Sequence, residues 1–336
     1  MNTLEQTSRT PLLEVRDLSL SFHQQEQIAI DHVSLSITQG NTLGLVGASG
    51  AGKSSVARAI LQLVKPDSGE ILFKGEEIHR MNPQELKTCR QRIQLVFQEP
   101  SASLSPRRTV EQTLLEPLQH FAIGDASFQH EKALHILDTV GLDQSALRRY
   151  PHQFSSGQQQ RIAIARALIT DPELLIADEA VSSLDVSIQA QILQLIQKLQ
   201  KDFGITFLFI SHDLAVIRQI ADDVAVMYQG QLLEQSSADR FFSEPAHPYS
   251  KTLLSFAQGK APTHRPDDKR YLERNRRKAG DSSACLFAGF CPEKMQVCER
   301  VEPAIHDIQH KNQGAPDPHC VKCHLYNEVN ANDFRE

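Results

Sequence analysis

The stretch Gly47-Ala48-Ser49-Gly50-Ala51-Gly52-Lys53-Ser54 fits the pattern G-x-x-x-x-G-K-[ST], between an apolar run at residues 42–46 and a helix-spaced run at residues 53–63. A strand that enters a glycine-rich turn and leaves as a helix is the context in which this pattern cradles phosphate. Glycines let successive backbone N–H groups curl around a phosphate, and the helix N-terminus adds partial positive charge. Lys53 supplies a point charge for the β- and γ-phosphates, and the Ser54 hydroxyl is sized to ligate Mg2+. Gly47, Ser49, Gly50, Gly52, Lys53, Ser54 and Ser55 are therefore the candidate nucleotide-binding residues.

Outward from this loop, Leu174-Leu175-Ile176-Ala177-Asp178-Glu179 delivers two adjacent carboxylates at the C-terminal end of a buried-strand run. Ligands bind at that end in open α/β sheets. Asp178 is expected in the Mg2+ shell, and Glu179 is placed to polarise an attacking water. Strand-like runs at residues 12–15, 28–37, 42–46, 70–73, 93–97, 174–177, 205–210 and 224–228 alternate with helical spacing at 53–63 and 188–199. Such alternation predicts an α/β architecture with a parallel sheet. From about 109 to 168 the spacing is helical throughout, with breaks near Gly124 and Gly141, as an inserted helical subdomain would give.

The 336 residues suit about two domains, and 40% apolar with 23% charged residues is a globular composition. A formal charge of −6 gives no electrostatic reason to expect a nucleic-acid partner. No apolar run approaches the roughly 20 residues that span a bilayer, and the polar start at residues 1–6 lacks a secretory h-region. A cytosolic chain is expected, able to dock on a membrane protein. Residues 260–278 carry eight Lys and Arg against three acids and read as a solvated linker. Contact with anionic lipid headgroups is the sharper alternative.

Phe154-Ser155-Ser156-Gly157-Gln158, followed by Gln159-Gln160-Arg161-Ile162-Ala163-Ile164-Ala165-Arg166-Ala167-Leu168, closely resembles the signature segment of ATP-binding cassette (ABC) ATPases. Gln98 matches that family's Q-loop, Ser183-Leu184-Asp185 its D-loop and His212 its switch histidine, while Phe22 stands where an aromatic stacks on adenine. The match covers residues 12–255 in the family's order. It implies a P-loop NTPase cassette with an antiparallel β subdomain and an inserted helical subdomain at about 99–168. ATP and Mg2+ are the implied cofactors, with Ser54, Gln98 and Asp178 around the metal. Glu179, His212 and Gln98 are the implied catalytic residues, and Asp185 belongs to the D-loop. Ser155, Ser156, Gly157 and Gln158 would reach the nucleotide of a second cassette packed head to tail. Two departures stand out: Ser156 replaces a glycine, and Ala180-Val181 replaces the usual Pro-Thr. Ser156 restricts backbone freedom and adds bulk, so the composite site that this segment completes is expected to hydrolyse more slowly.

Residues 96–107 and His247-Pro248-Tyr249 are similar to segments of the peptide/nickel importer branch of that family. The tail resembles theirs too. Five of six cysteines (Cys285, Cys291, Cys298, Cys320 and Cys323) lie in the last 52 residues, and only Cys89 precedes them. In a reducing compartment, clustered thiols favour metal over disulfides. The residues alone leave iron–sulfur, zinc and free thiols open. The resemblance implies a four-iron, four-sulfur cluster on Cys285, Cys291, Cys298 and Cys323, with Zn2+ as the alternative and Cys320 as a spare. The expected division is a cassette at residues 1–258 and a linker with a cysteine-rich metal-binding tail at 259–336.

The resemblance implies the ATP-hydrolysing subunit of an importer for di- or oligopeptides. The alternatives are an importer of nickel or another solute, or a non-transport ABC ATPase. The implied partners are a second, non-identical cassette, two transmembrane permease subunits and an extracytoplasmic solute-binding protein. The chain would sit on the cytoplasmic face of the inner membrane, a coupling helix of the permease docking behind Gln98. A DNA or ribosome cassette would carry paired cassettes or coiled-coil insertions, and a pure regulator would lack a carboxylate such as Glu179.

Overall fold

The computed structural model describes residues 11–22, 27–258, 284–308 and 319–327; the basic stretch at 260–278 lies outside the described residues. In chain order the elements are β1 (Pro11–Phe22), β2 (Gln27–Thr38), β3 (Thr42–Val46), α1 (Lys53–Ile60), β4 (Ser68–Phe73), β5 (Glu76–Glu77), α2 (Pro83–Arg92) and β6 (Ile93–Val96). Four helices follow: α3 (Pro100–Ser103), α4 (Val110–Phe121), α5 (Ala126–Thr139) and α6 (Ser156–Leu168). Then come β7 (Leu174–Asp178), α7 (Val186–Phe203), β8 (Thr206–Ser211), α8 (Leu214–Ile220), β9 (Asp223–Tyr228) and β10 (Gln231–Ser237). The described part ends with α9 (Ala238–Ser243), α10 (Pro248–Ala257), β11 (Ile305–Asp307) and β12 (Cys320–Lys322).

These elements form two compact units built from interleaved segments. The first takes the chain up to Val15, then Leu35–Thr42 and Glu70–Leu208; the second takes Arg16–Ser34, Leu43–Gly69 and the chain from Phe209 onward. In the first unit β6 and β7 pair in parallel, Ile93 opposite Leu174 through to Val96 opposite Ala177. The first four residues of β7 are fully buried, as expected for a strand covered on both faces. Several helices of this unit start on side-chain caps. Asn82 and Glu85 form a capping box on α2, Thr109 and Gln112 do so on α4, and Asp125 caps α5. The α7 helix ends at Gly204 in the left-handed region and buries Ile192, Leu193, Leu195, Ile196 and Leu199 on one face.

In the second unit β3 pairs in parallel with β9, Leu43 opposite Asp223 through to Val46 opposite Val226. β10 lies antiparallel to β9, with its register shifting between Leu232 and Glu234. β12 joins the far side of β10, Glu234 opposite Val321, and β11 pairs with β12. The strand order β11-β12-β10-β9-β3 thus includes two short strands from the cysteine-rich tail. β1 runs seven residues beyond the expected 12–15 because Leu18 and Leu20 continue its buried face. No helix among the described residues is long and apolar enough to cross a membrane.

Candidate functional site

The phosphate loop belongs to the second unit. All five residues of β3 are buried, so the strand is a fixed base from which the loop departs. Gly47 has φ 152°, and a Cβ there would lie 2.2 Å from the Met227 carbonyl oxygen. At Gly52, φ is 103° and a Cβ would lie 2.3 Å from the Ala29 carbonyl oxygen. Both positions are closed to any residue with a side chain. α1 starts at Lys53 with no side-chain cap, which leaves its first-turn amides directed at the loop. The Lys53 ammonium, only 5% exposed, donates to the Gly47 carbonyl at 2.7 Å and the Ala48 carbonyl at 2.9 Å. Ala48 also accepts the Ala51 N–H at 3.1 Å, and its own N–H goes to the Tyr249 hydroxyl oxygen at 3.2 Å. Ser49 and Gly50 are exposed, and Ser54 and Ser55 half-buried. His212 is exposed just beyond the end of β8, and Asp213 after it caps α8 by accepting the Ala215 N–H at 2.8 Å. Phe22 is half-buried at the end of β1.

The first unit carries the carboxylates. Because β6 and β7 are parallel and in register, Gln98 and the Asp178–Glu179 pair leave the same edge of that strand pair. Gln98 is exposed, and Asp178 and Glu179 are half-buried. Glu179 has φ 50°, a left-handed backbone that costs a residue with a Cβ about 1–3 kcal/mol. The turn is held by Ser182, whose amide and hydroxyl donate to the Glu179 carbonyl at 3.1 and 3.0 Å. This turn fixes the direction in which the Glu179 side chain leaves the strand; Asp17, Lys74 and Gln229 are among other non-glycine residues with positive φ. The sequence carried no signal for the turn.

The 155–158 segment opens α6. Gln158 donates its amide to the Ser155 hydroxyl at 3.4 Å, and its side-chain oxygen accepts the Ser155 N–H at 3.1 Å. Ser155, Ser156 and Gln158 are exposed, whereas Gly157 is buried, where a Cβ would lie 2.4 Å from the Ile188 side chain. Ser156 occupies the first turn of the helix. Any residue adopts that backbone, so the restriction expected from replacing a glycine has no consequence there; its exposed hydroxyl remains. Asp185 stands at the N-terminus of α7, exposed, with no side-chain cap bond.

The tail cysteines lie in the second unit. The Cys285 N–H donates to the Cys298 carbonyl at 2.9 Å. Burial pushes the Cys323 thiol up to about 11, and the nearby Cys285, Cys291 and Cys298 add to the rise. Burial likewise raises Cys291 to about 11, with Cys285 and Cys298 adding to it, and raises Cys285. Cys285, Cys291 and Cys323 therefore all feel Cys298, and Cys323 feels Cys285 and Cys291 as well. Cys320, also raised by burial, feels Asp307 instead. Backbone amides of Phe287, Ala288, Glu293 and Leu325 hydrogen-bond the sulfurs of Cys285, Cys291 and Cys323. Amide donors aimed at sulfur suit thiolate ligation of iron or zinc. As they stand, no three His, Cys, Asp or Glu side chains among the described residues form a group that could hold a metal ion.

A buried carboxylate that the sequence did not single out fixes the tail. Glu234 on β10 is 1% exposed and accepts the Ala246 and His247 amides at 2.8 Å each and the His319 Nε2 at 2.9 Å. Burial would raise its carboxyl, but these donors outweigh burial and hold it below the ordinary value. His247 Nδ1 in turn accepts the Tyr249 N–H at 3.0 Å, and burial drives its ring down to about 4, so it stays neutral. Nearby, Lys322 donates to Glu302 at 2.6 Å, and Tyr326 Oη donates to the Ala246 carbonyl at 3.1 Å.

With this geometry in hand, the chain can be set beside known proteins. Residues 30–182 match the family described as ABC transporter, and residues 233–298 match the oligopeptide/dipeptide transporter C-terminal region. The Oligopeptide transport ATP-binding protein AppF of Bacillus subtilis is 42% identical over 94% of this chain and 97% of its own length. The Dipeptide transport ATP-binding protein DppF of Escherichia coli is 40% identical over 91% of this chain and 94% of its own. Among solved structures, cbiO1 from Clostridium perfringens, part of the transporter complex cbiONQ, has a TM-score of 0.64 at 26% identity, covering 70% of this chain and 92% of that one. The ATP-binding cassette MJ0796, solved as a dimer in a post-hydrolysis state with ADP and Pi, has a TM-score of 0.61 at 29% identity, over 67% of this chain and 98% of that one.

Proposed function

Because the chain belongs to the ABC transporter ATPases of the oligopeptide/dipeptide group, we propose that it is the ATP-hydrolysing subunit of an importer of di- or oligopeptides. One observation carries this reading: relatives named for oligopeptide and dipeptide transport match nine-tenths or more of the chain, and residues 233–298 match the oligopeptide/dipeptide transporter C-terminal region.

The residues divide the work. The 47–54 loop and Lys53 bind the β- and γ-phosphates, trading the Lys53 bonds to Gly47 and Ala48 for phosphate oxygens. Phe22 stacks on the adenine. Ser54, Asp178 and Gln98 would hold Mg2+, which when bound would supply positive charge to the phosphates. Glu179 takes a proton from the attacking water, and His212 bonds the γ-phosphate. Ser155, Ser156, Gly157 and Gln158 serve the nucleotide of a second cassette, and Asp185 lies at the same junction; the exposed Ser155, Ser156, Gln158 and Asp185 support this pairing. The dimer of the similar MJ0796 supports it too. The second cassette is non-identical, and the exposed Ser156 side chain, by its added bulk, makes the composite site that it completes hydrolyse more slowly than its counterpart. Two permease subunits and an extracytoplasmic binding protein complete the assembly, at the cytoplasmic face of the inner membrane.

Residues 1–258 are read as the cassette and 259–336 as a linker and metal-binding tail. Cys285, Cys291, Cys298 and Cys323 would hold a four-iron, four-sulfur cluster, which fastens a segment too short to build its own core. Their mutual influence and the amide donors to sulfur support this set, and the separate setting of Cys320 supports its exclusion. Zn2+ on the same thiols is the alternative.

Uptake assays in the source cell test the transport reading. Replacing Glu179 by Gln should cut peptide-stimulated ATP turnover of the assembled transporter about 100-fold or more and abolish uptake of labelled di- and tripeptides. Loss of nickel uptake with peptide uptake intact would transfer the assignment to the nickel branch.

A further inference from the structure

Tyr249 is fully buried on α10, and its hydroxyl oxygen reaches the phosphate loop to accept the Ala48 N–H at 3.2 Å. Its ring packs on Tyr228 of β9, centroids 4.7 Å apart, and on Phe287, centroids 5.3 Å apart. Phe287 stands two residues after Cys285 and is 1% exposed. It also meets the Tyr228 ring edge-on at 5.7 Å. The peptide that joins Gly47 to Ala48 is thereby held on both sides, its N–H by Tyr249 and its carbonyl, that of Gly47, by the Lys53 ammonium, while the next carbonyl, that of Ala48, accepts from Lys53 and the Ala51 N–H. All these residues lie in one compact unit.

We propose that Tyr249 is a positioning residue for the phosphate loop, and that Phe287 couples the cysteine-rich tail to nucleotide affinity by fixing the Tyr249 ring. The inference rests on the reading that the 47–54 loop holds ATP. Tyr249 acts through the loop: it sets the orientation of the Gly47–Ala48 peptide, whose carbonyl steadies Lys53. If that peptide turns, the carbonyl turns with it, and Lys53 loses its station beside the loop. Phe287 limits the ring's freedom to swing, because it packs against Tyr249 and is itself set edge-on against Tyr228, which packs on Tyr249 in turn. A tail that loosens at Cys285 withdraws this wedge.

The test uses the full chain, purified anaerobically, with binding of a fluorescent ATP analogue and steady-state turnover in the assembled transporter. Tyr249→Phe keeps the packing and removes one acceptor, so Kd and KM for ATP should rise about two- to tenfold while kcat stays within about twofold. Phe287→Ala should shift Kd in the same direction, Phe287→Leu should recover part of the loss, and the Tyr249→Phe/Phe287→Ala pair should be no weaker than the worse single variant. Lys251→Ala, which removes the exposed contact to Glu293 in the tail, should leave Kd unchanged. If Phe287→Ala fails to fold, Phe287→Leu carries the comparison. Unchanged ATP affinity in Tyr249→Phe, or in the folded Phe287 variant, overturns the proposal, as does a fall in kcat with KM intact. Lys53→Ala separates the readings. If it leaves ATP binding intact, the loop assignment itself fails and the proposal falls with it; if it weakens binding while Tyr249→Phe does not, only the proposal falls.

Discussion

The phosphate loop and the cysteine tail sit in the same compact unit and obtain their chemistry in opposite ways. The loop works with backbone: its amides are aimed by Gly47 and Gly52, two positions where a Cβ would strike a carbonyl oxygen. Its one charged side chain, Lys53, is already held by loop carbonyls. The tail works with side chains, and its thiols are pushed by burial and by one another toward the protonated form. A ligand finds the loop shaped in advance, whereas a metal held as proposed would have to displace protons to shape the tail. The lesson is that preorganisation and ligand-driven assembly can share one sheet, provided that side chains such as Tyr249 and Glu234 join them.

Four measurements can break or sharpen that contrast. The largest effect is expected at Gly52. Gly52→Ala forces a side chain onto a left-handed backbone and against the Ala29 carbonyl, so ATP affinity should fall at least about tenfold. Near-wild-type binding in a titration would show that the loop is not set by its backbone. Next, Cys291→Ser should remove most of the iron and sulfide from anaerobically purified protein and lower its melting temperature by several degrees. Stoichiometric zinc with no sulfide would move the assignment to Zn2+, and neither metal would remove it.

The third measurement is pH. His247 is lowered to about 4 in the folded chain against about 6.5 unfolded. The unfolded chain therefore takes up its proton first as pH falls. The stability this ring contributes is complete above about 6.5 and is lost progressively towards pH 4. The Glu234 carboxyl, also lowered, contributes stability that is lost further down, as pH passes below its ordinary value and through its folded one. Urea melts at pH 7, 5.5 and 4.5 should show the midpoint dropping across this window. His247→Asn, whose side chain can still cap α10, should flatten the upper part of the drop. The smallest effect belongs to Cys320→Ser, which should leave metal content, melting temperature and turnover unchanged; a loss of iron there would redraw the ligand set.

Much of the cassette was legible in the sequence because its signals are local. The 42–54 run announces its own strand, loop and helix, and the 174–179 run carries its carboxylates at its end. Ser155 and Gln158, found by resemblance, also make a reciprocal cap whose spacing has a physical reading. What stayed hidden depends on distance. The β10 sequence QLLEQSS has little strand character, and it pairs with β12 across more than 80 residues. Glu234 reads as one more polar residue until that register buries it. Tyr249 reads as the end of a His-Pro-Tyr motif, and only the fold brings its hydroxyl to Ala48, 201 residues earlier in the chain. The left-handed turn at Glu179 is set by Ser182 and the strand behind it, and glutamate has no preference that would foretell it.

Glu234 also sets a limit on how the sequence can vary. One carboxylate oxygen takes the Ala246 amide and the His319 ring, the other takes the His247 amide. Glutamine has nearly the same shape but turns one of these acceptors into a donor, leaving an N–H facing an N–H in a buried site. Aspartate keeps both acceptors but withdraws them by a methylene, roughly 1.5 Å. In a library that offers all twenty amino acids at this codon, function should survive with glutamate alone, and a position outside the phosphate loop would be as intolerant of change as Lys53 within it.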